Sequence, residues 1–209
     1  MNPTKIAVLV SGGGTNFQAL IDRQREAGLG GGKLSLCISS SPTAFALQRA
    51  ADAGIPARVL APQDYPSRQA YTDALTDLLT AEQVDLVVLC GFLYILSPSF
   101  CQRFENRIIN IHPALIPSFC GEGYFGLHVH EAVLAYGVKL TGATAHFVTA
   151  ETDGGPIICQ KSAPVLEDDT PEILQRRVME QCEWKILPDA VTLFCEGRLS
   201  VDGRTVQIR

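Results

Sequence analysis

The sequence predicts an α/β fold in which helices cover both faces of a mostly parallel, twisted sheet. Three observations lead to this prediction. Short apolar runs alternate with helical patterns through the first half of the chain, which is typical of parallel βαβ units. The run at residues 84–89 is almost wholly apolar, as expected of a strand buried on both faces. A glycine-rich turn follows the first apolar run, at an edge where such sheets bind ligands.

The first half of the chain contains four predicted strands, each followed by a helical pattern. The strands are expected at residues 5–10, 34–40, 57–60 and 84–89. Phe17, Leu20 and Ile21 recur at helical spacing and indicate the first helix. Further helices are expected at residues 44–53 and 66–80, and Ser97-Pro98 is a helix-start pair.

The second half departs from this alternation, and we expect antiparallel strands there. Strands are predicted at residues 108–112, 141–148 and 157–165, with a helix at 127–136 and a closing hairpin at Asp202-Gly203. Polar and apolar residues alternate through 141–148, which predicts one solvated face. Thr170 is a favourable N-cap before Pro171, and the helix that it opens is expected to reach about residue 195 with a bend at Pro188.

The composition argues against several classes of function. The net charge is −5 and there is no basic cluster, so no nucleic acid partner is expected. No apolar run approaches the roughly 20 residues that cross a membrane, and residues 1–5 lack a signal-peptide layout. The seven cysteines are scattered along the chain. This favours buried thiols in a reducing cytoplasm over disulfides or a zinc site.

The glycine turn at residues 11–16 has the layout of a phosphate site. A strand, a run of glycines and a helix start bring free N–H groups close to an anion. The turn reads Gly12-x-Gly14 without the third glycine of a dinucleotide site, and the second strand ends in serines instead of an acidic residue. It also lacks the Gly-Lys-Ser/Thr of a nucleoside triphosphate loop. A small phosphorylated substrate remains as the ligand, with a plain tight turn as the alternative.

The strand at residues 108–112 presents an amide and an imidazole together. Side chains two apart in a strand point the same way, so Asn110 and His112 share one face. Pro113 cannot donate to a ladder and ends the strand. Both polar side chains therefore stand at a carboxyl edge, where open α/β sheets bind ligands. From this stretch alone, a core histidine that bonds a nearby carbonyl explains the pattern equally well.

Asp153 adds a carboxylate in the loop at residues 149–156, and the Gly154-Gly155-Pro156 turn is expected to hold it in place. A carboxylate near an imidazole favours the imidazolium, and an amide beside it can donate to an oxygen that gains negative charge. This combination suits acyl transfer through a tetrahedral intermediate. No serine or cysteine lies in an elbow motif. The attacking group is therefore expected to be a substrate amine or water.

Residues 114–126 and the helix after them flank this predicted site. Glycines in 114–126 suggest a mobile flap over the site, and a disordered surface loop is the alternative. His128 and His130 follow on the helix, where residues two apart do not face each other. Since no acidic or cysteine ligand stands at metal-binding spacing, we predict no metal site.

Four motifs in this order resemble the folate-dependent formyltransferases. They are Ser11-Gly-Gly-Gly-Thr-Asn16, Gly91-Phe-Leu-Tyr-Ile-Leu-Ser97, Asn110-Ile-His-Pro-Ala-Leu-Ile-Pro117 and Asp153-Gly-Gly-Pro-Ile157. Within that family they are similar to the phosphoribosylglycinamide (GAR) formyltransferases of purine biosynthesis, from residue 5 to about residue 200. The resemblance implies one Rossmann-like domain over residues 1–209, with a phosphate-binding half at about 1–100 and a catalytic, folate-binding half at about 101–209.

The resemblance also implies which residues act. The implied catalytic residues are Asn110, His112 and Asp153, of which Asp153 sets the protonation of the histidine. GAR and its phosphate are expected to contact Gly13, Gly14, Thr15, Asn16 and Glu183. 10-Formyltetrahydrofolate is expected to contact Arg68, Leu93, Tyr94, Ile95, Leu96 and Asn110. Tyr94 stands where an arginine is common in that family, which is a departure from its pattern.

The reaction that the resemblance implies moves the formyl group of 10-formyltetrahydrofolate to the amine of GAR, giving formyl-GAR and tetrahydrofolate. Alternatives within the family are a formyltetrahydrofolate hydrolase or another folate-dependent N-formyltransferase. The methionyl-tRNA enzymes are disfavoured by the acidic balance and the length of the chain. An alternative from a different class is a non-catalytic phosphosugar- or nucleotide-binding module. The expected partners are small molecules only, with no nucleic acid and no membrane, and a homodimer is one option for the assembly.

Overall fold

All strands of the protein form one nine-stranded sheet, as seen in a computed structural model that describes residues 2–209. In chain order the strands are β1 (Thr4–Val10), β2 (Gly32–Ser39), β3 (Ala57–Val59), β4 (Leu86–Cys90), β5 (Ile108–His112), β6 (Leu140–Phe147), β7 (Ile157–Pro164), β8 (Leu199–Asp202) and β9 (Thr205–Ile208). Their order across the sheet is β3-β2-β1-β4-β5-β6-β7-β9-β8. Met1, part of the segment assessed for a signal peptide, lies outside the described residues.

The sheet is parallel in its first half and mixed in its second half. Strands β1 to β5 run parallel to one another, whereas β6 is antiparallel to both β5 and β7. Strands β8 and β9 form an antiparallel hairpin around Asp202 and Gly203. The prediction of a mostly parallel sheet with antiparallel additions near the C-terminal half is therefore confirmed.

Helices cover both faces of this sheet, as predicted. They are α1 (Thr15–Glu26), α2 (Ala46–Asp52), α3 (Arg68–Ala81), α4 (Pro98–Arg103), α5 (Leu127–Tyr136), α6 (Pro171–Val178) and α7 (Trp184–Cys195), with a 3-10 turn at Pro62–Asp64 and a π-helical turn at Met179–Glu183. Helices α3 and α4 pack on one face, and the other five pack on the opposite face. Among residues 2–209, no helix is long and apolar enough to cross a membrane.

Strand β1 shows how the two cores are divided. Its residues 6–10 are fully buried, and because alternate side chains point to opposite faces, each face receives part of the strand. Ile6 and Val8 pack with α1 and α2, while Ala7 and Leu9 pack with α3 and α4. Burying one such aliphatic side chain contributes about 1.5–3 kcal/mol to the stability of the fold. The strand therefore stabilises the packing of helices on both faces at the centre of the sheet.

The strand order creates a crevice between β1 and β4. From β1 the chain moves outward to β2 and β3, whereas from β4 it moves the other way to β5. Ligands bind outside the carboxyl ends of parallel strands at such a reversal. The glycine turn and the segment after β4 meet there, since the Ser11 N–H donates to the Gly91 carbonyl (3.2 Å). The Leu93 N–H in turn donates to Ser11 Oγ (3.0 Å).

One predicted helix begins later than expected, and another contains an unpredicted turn. Helix α3 begins at Arg68 because the Ser67 side chain accepts the Ala70 N–H (3.1 Å) and caps it, so Pro66 lies outside. Thr170 caps α6 as predicted. Helical structure then continues without a break to Cys195, as expected, and it contains a π-helical turn at Met179–Glu183 that was not predicted.

The prediction of a solvated face on β6 was wrong. Thr144 and His146, the residues expected to face solvent, are 0% and 1% exposed. Thr144 is covered by the segment after β5: its hydroxyl donates to the Ala114 carbonyl (2.7 Å) and accepts the Ile116 N–H (3.1 Å). The Ile116–Pro117 peptide bond in this segment is cis. The polar side chains of β6 are thus satisfied internally instead of by water.

Candidate active site

A cavity of about 590 Å³ opens beyond the carboxyl ends of β4 and β5. Its lining includes most of the predicted site residues, namely Thr15, Asn16, Leu93, Tyr94, Ile95, Leu96, Asn110, His112, Asp153 and Glu183. Three predicted residues, Gly13, Gly14 and Arg68, do not line it. The structure therefore brings the predicted amide, imidazole and carboxylate into one cavity with the start of α1.

Asn110 faces a histidine from the neighbouring strand. Residues Asn110 and His146 are directly opposed in the antiparallel β5–β6 pair, and Asn110 Nδ2 lies 3.2 Å from His146 Nε2. His146 Nδ1 lies 2.9 Å from the carbonyl of Phe147. Because a carbonyl only accepts, Nδ1 carries the proton and Nε2 of the neutral ring accepts from the Asn110 amide.

The neutral state of His146 follows from its surroundings. Burial lowers the pKa of His146 below its ordinary value, and the nearby His112 lowers it further. The Phe147 carbonyl and Asp153 act in the opposite direction but do not outweigh burial. An acceptor at this position fixes one N–H of the Asn110 amide and leaves the other available to the cavity.

His112 is held from the other side by the segment at residues 114–126. His112 Nε2 donates to the carbonyl of Phe119 (2.8 Å), which requires a proton on that nitrogen. Its Nδ1 faces Asp153 Oδ2 at 3.6 Å, beyond direct hydrogen-bond distance. The imidazole is therefore oriented with Nδ1 toward the carboxylate, and a small approach of either group would complete the bond.

Asp153 lies between two histidines. Its Oδ2 faces His112, and its Oδ1 lies 3.7 Å from His146 Nε2. The backbone of Asp153 is left-handed, with φ +53°, and the Gly121 N–H donates to Oδ2 (2.9 Å). The position expected from the Gly154-Gly155-Pro156 turn is thus reinforced by a backbone bond from the segment at residues 114–126.

Glu183 adds a second polar group to the lining of the cavity. Its Oε2 accepts a hydrogen bond from Asn16 Nδ2 (2.6 Å). Burial raises the pKa of Glu183 to about 7, although the bond from Asn16 acts to lower it. The other amide atom, Asn16 Oδ1, is buried without a partner among the described residues. These atoms can bind a hydroxyl or amine that both donates and accepts.

The glycine turn presents N–H groups at the start of α1. Gly14 has φ +68° and precedes Thr15, the first residue of the helix. Within residues 2–209, the N–H groups of residues 13–17 donate to no protein acceptor. Free N–H groups at a helix start favour an anion. The turn therefore has the layout from which a phosphate site was predicted.

The segment after β4 supplies an apolar wall to the cavity. Leu93 and Ile95 expose about half of their side chains or more, at 65% and 50%. Tyr94 packs edge-on against the buried ring of Tyr71 at 4.7 Å between centroids. Arg68 is exposed at the start of α3, one helical turn before Tyr71. A flat aromatic ligand fits such a wall better than a small polar one.

The two histidines of α5 face different environments. His128 is exposed and pairs with Glu131 (3.0 Å), whereas His130 is fully buried beside the cavity. Burial lowers the pKa of His130 to about 4, so its ring is neutral near pH 7. Among the described residues, no group of three or more potential ligands is placed to hold a metal ion.

Sequence reasoning missed His146, the residue that orients the Asn110 amide. Its alternation with Ala145 and Phe147 was the only local signal, and that pattern is also typical of a solvated strand. A pairing of Asn110 with His146 across the sheet would have identified it. Taken together, the amide, the neutral imidazole, His112 and Asp153 can stabilise an oxyanion and move a proton beside it.

Comparisons with known proteins agree with this geometry. The family model for formyl transferase matches residues 4–191. The phosphoribosylglycinamide formyltransferase of Haemophilus influenzae is 40% identical over 195 residues, which cover 93% of this chain and 89% of that protein. A crystal structure of glycinamide ribonucleotide transformylase 1 from Symbiobacterium toebii is 45% identical, covers 99% of this chain and 94% of that one, and superposes with a TM-score of 0.93.

Some relatives are much longer proteins. The trifunctional purine biosynthetic protein adenosine-3 of Drosophila melanogaster is 41% identical over 194 residues, which are 92% of this chain but 14% of that protein. The match to such relatives therefore concerns one segment of each.

Proposed function

The chain belongs to the formyl transferase family, and we propose that it transfers the formyl group of 10-formyltetrahydrofolate to the amine of GAR. The products are formyl-GAR and tetrahydrofolate, and the reaction belongs to purine biosynthesis. The observation that carries this proposal is the convergence of Asn110, His112 and Asp153 in a cavity that also reaches Thr15 and Asn16 at the start of α1. A single substrate that carries both an amine and a phosphate can therefore occupy the reacting centre and the anion site together.

Asn110 acts on the oxygen that gains negative charge. One N–H of its amide is held by His146 Nε2, so the second N–H is directed toward the reacting carbonyl. A donor fixed in advance stabilises the developing oxyanion without reorganising. The folate co-substrate supplies an activated formyl group bound to nitrogen, and the attacking amine comes from GAR, which agrees with the lack of a nucleophilic elbow in the chain.

His112 and Asp153 manage the protons. When the amine forms its bond to the formyl carbon it must lose a proton, and the folate nitrogen must gain one as its bond breaks. We assign this proton transfer to the His112–Asp153 pair, whose facing atoms Nδ1 and Oδ2 lie 3.6 Å apart. Through a bound water, the pair takes the proton of the amine and returns it to the folate nitrogen. Contacts between catalytic groups that are too long for a hydrogen bond in a free enzyme often tighten when substrates bind.

The ends of the cavity separate the two substrates. Gly13, Gly14, Thr15 and Asn16 present the phosphate site, and Glu183 contacts the rest of GAR. Leu93, Tyr94, Ile95 and Leu96 form the folate wall, and Arg68, which lies outside the cavity lining, is an expected further contact of the folate. The apolar character of that wall and the exposed Leu93 and Ile95 support this assignment. A cytoplasmic location is part of the same proposal, with a homodimer as one option for the assembly.

The proposal is tested by a steady-state assay of 10-formyltetrahydrofolate consumption with GAR present or omitted. Consumption that requires GAR is expected. Asp153→Asn should lower kcat by about 10²–10⁴-fold, the range typical of lost acid–base catalysis, while circular dichroism shows an unchanged fold. Asp168→Asn, which alters an exposed carboxylate outside the cavity, serves as the matched control and should keep wild-type turnover.

Other outcomes assign other functions. Consumption of the folate without GAR would identify a hydrolase, which the same oxyanion site could serve with water as the nucleophile. No consumption under either condition would favour a binding module. A near-normal rate for Asp153→Asn would remove Asp153 from the mechanism.

A further inference from the structure

The glycine turn is tied to helix α2 through its carbonyl groups. The Ala46 N–H donates to the Gly12 carbonyl (3.1 Å). Arg49 Nε donates to the carbonyl of the next residue, Gly13 (2.8 Å). Two successive carbonyls of the turn are therefore held by one helix, although more than 30 residues separate them from it in the sequence.

This arrangement decides where the N–H groups of the turn point. In a trans peptide the C=O and the following N–H lie in one plane and point in opposite directions. Holding the Gly12 and Gly13 carbonyls against α2 therefore turns the Gly13 and Gly14 N–H groups away from it. Within the described part of the chain these two N–H groups have no protein acceptor. They form the kind of concave N–H array that binds anions.

The guanidinium of Arg49 is itself held rigidly. Its Nη1 donates to Gln18 Oε1 (2.9 Å), and its face covers the Phe45 ring at 5.0 Å from the centroid. Among residues 2–209, no carboxylate lies within ion-pair distance of it. The positive charge next to the turn is thus uncompensated, which favours an anion nearby.

Helix α2 also restricts the shape of the turn. A Cβ placed on Gly14 would lie 2.6 Å from the Cβ of Ala46, and Gly14 has φ +68°. A side chain at Gly14 would separate the turn from α2 and break the contact that Arg49 makes with Gly13. The close approach of Gly14 to Ala46 and the bond from Arg49 to the Gly13 carbonyl therefore both constrain the peptide between Gly13 and Gly14.

We propose that Arg49 is a positioning residue for the phosphate of the amine substrate. It acts through the Gly13 carbonyl, which orients the Gly14 N–H, and its own charge adds to the field at the phosphate without direct contact. This inference rests on the proposed function for the identity of the substrate. It predicts that Arg49 matters for the phosphorylated substrate and not for the folate or for the chemical step.

The test compares Arg49→Met with the wild type on two amine substrates. With GAR, KM should rise about tenfold or more, as for loss of a charged hydrogen bond, while kcat stays within about threefold and KM for 10-formyltetrahydrofolate is unchanged. With the glycinamide ribonucleoside that lacks the phosphate, both proteins should have the same kcat/KM. Arg49→Lys keeps the charge but not the bond to Gln18, so its KM for GAR should lie between those of the wild type and Arg49→Met.

Arg25→Met is the matched control, because Arg25 also links α1 to α2, through the Asp52 carbonyl (3.3 Å), without touching the turn. It should leave both substrates unaffected. An equal loss of kcat/KM on the phosphorylated and unphosphorylated amines in Arg49→Met would show a merely structural role and overturn the inference, as would an unchanged KM for GAR.

The failure of the proposed function would be visible separately, as absence of GAR-dependent turnover in the wild type. In that case inorganic phosphate is titrated against ¹⁵N-labelled protein. Phosphate should shift the Gly14 N–H resonance of the wild type, and this shift gives an apparent affinity for phosphate. An affinity at least tenfold weaker in Arg49→Met supports the inference. The same affinity in both proteins, or no shift in the wild type, overturns it.

Discussion

The buried carboxyl group of Glu183 should make the stability of the fold depend on pH. Glu183 is 6% exposed, and its folded-state pKa is raised to about 7 from an ordinary 4.5, chiefly by burial. Between these values the folded protein keeps the proton, whereas the unfolded chain has lost it. The folded state is then favoured less as pH rises.

The size and direction of the effect follow from the two pKa values. They differ by about 2.5 (about 7 minus 4.5), and at about 1.4 kcal/mol for each pKa unit this corresponds to about 3 kcal/mol. The contribution is fully present below pH 4.5, is lost as pH rises toward 7, and is constant above that. Glu183→Gln keeps an oxygen that can accept from Asn16 but cannot ionise, so it should lack this dependence.

Urea denaturation of the wild type and of Glu183→Gln at several pH values from 4.5 to 8 measures the effect as the difference between their free energies of unfolding. The difference is needed because His130 acts in the opposite direction: its pKa is lowered to about 4, so it contributes stability that appears as pH rises from about 4 to 6.5. This contribution is common to both proteins and cancels.

The free energy of unfolding of the wild type, minus that of Glu183→Gln, should fall by about 3 kcal/mol between pH 4.5 and 8. Glu180→Gln, which removes an exposed carboxylate from the same turn, controls for the change in charge. A difference between wild type and Glu183→Gln that stays constant over this range would refute the reasoning, because it would mean that Glu183 titrates alike in both states.

Three further outcomes are expected. His146→Ala should lower kcat by about 2–12-fold through loss of one hydrogen bond to Asn110, measured in the GAR-dependent assay, and an unchanged kcat would contradict the orienting role. Gly14→Ala should destabilise the fold by about 1–3 kcal/mol in urea, because of its positive φ and its contact with Ala46. Leu20→Ala, in the core, should lower the free energy of unfolding by about 2–5 kcal/mol. A loss below about 1 kcal/mol would indicate that neighbouring side chains fill the space left by Leu20.

The features that could be predicted from sequence are those set by short-range patterns. The apolar runs that become β1 and β4 indicated buried parallel strands, and the alternation in β5 placed Asn110 and His112 on one face before any partner was known. The N-cap at Thr170 is likewise a local device. Each depends on residues within a few positions of one another, so no knowledge of the tertiary fold is needed.

Partnerships across the sheet could not be predicted in the same way. His146 is 36 positions from Asn110, and Arg49 is 36 positions from Gly13. Which residues meet depends on strand register and helix docking, and a shift of one residue in β6 would turn His146 away from the cavity. The polar face of β6 was misjudged for the same reason, since the segment that covers Thr144 comes from another part of the chain.

The helical turn at Met179–Glu183 has a packing reason that lies in its spacing. Leu174, Val178, Cys182 and Ile186 are all buried at intervals of four. In a regular α-helix four residues overshoot one turn by about 40°, so three such steps would carry the stripe about 120° around the helix. A wider turn of the π type reduces this drift, which keeps Cys182 on the core and lets Glu183 enter the cavity beside Asn16. The π-helical turn at Met179–Glu183 therefore serves both the core and the site.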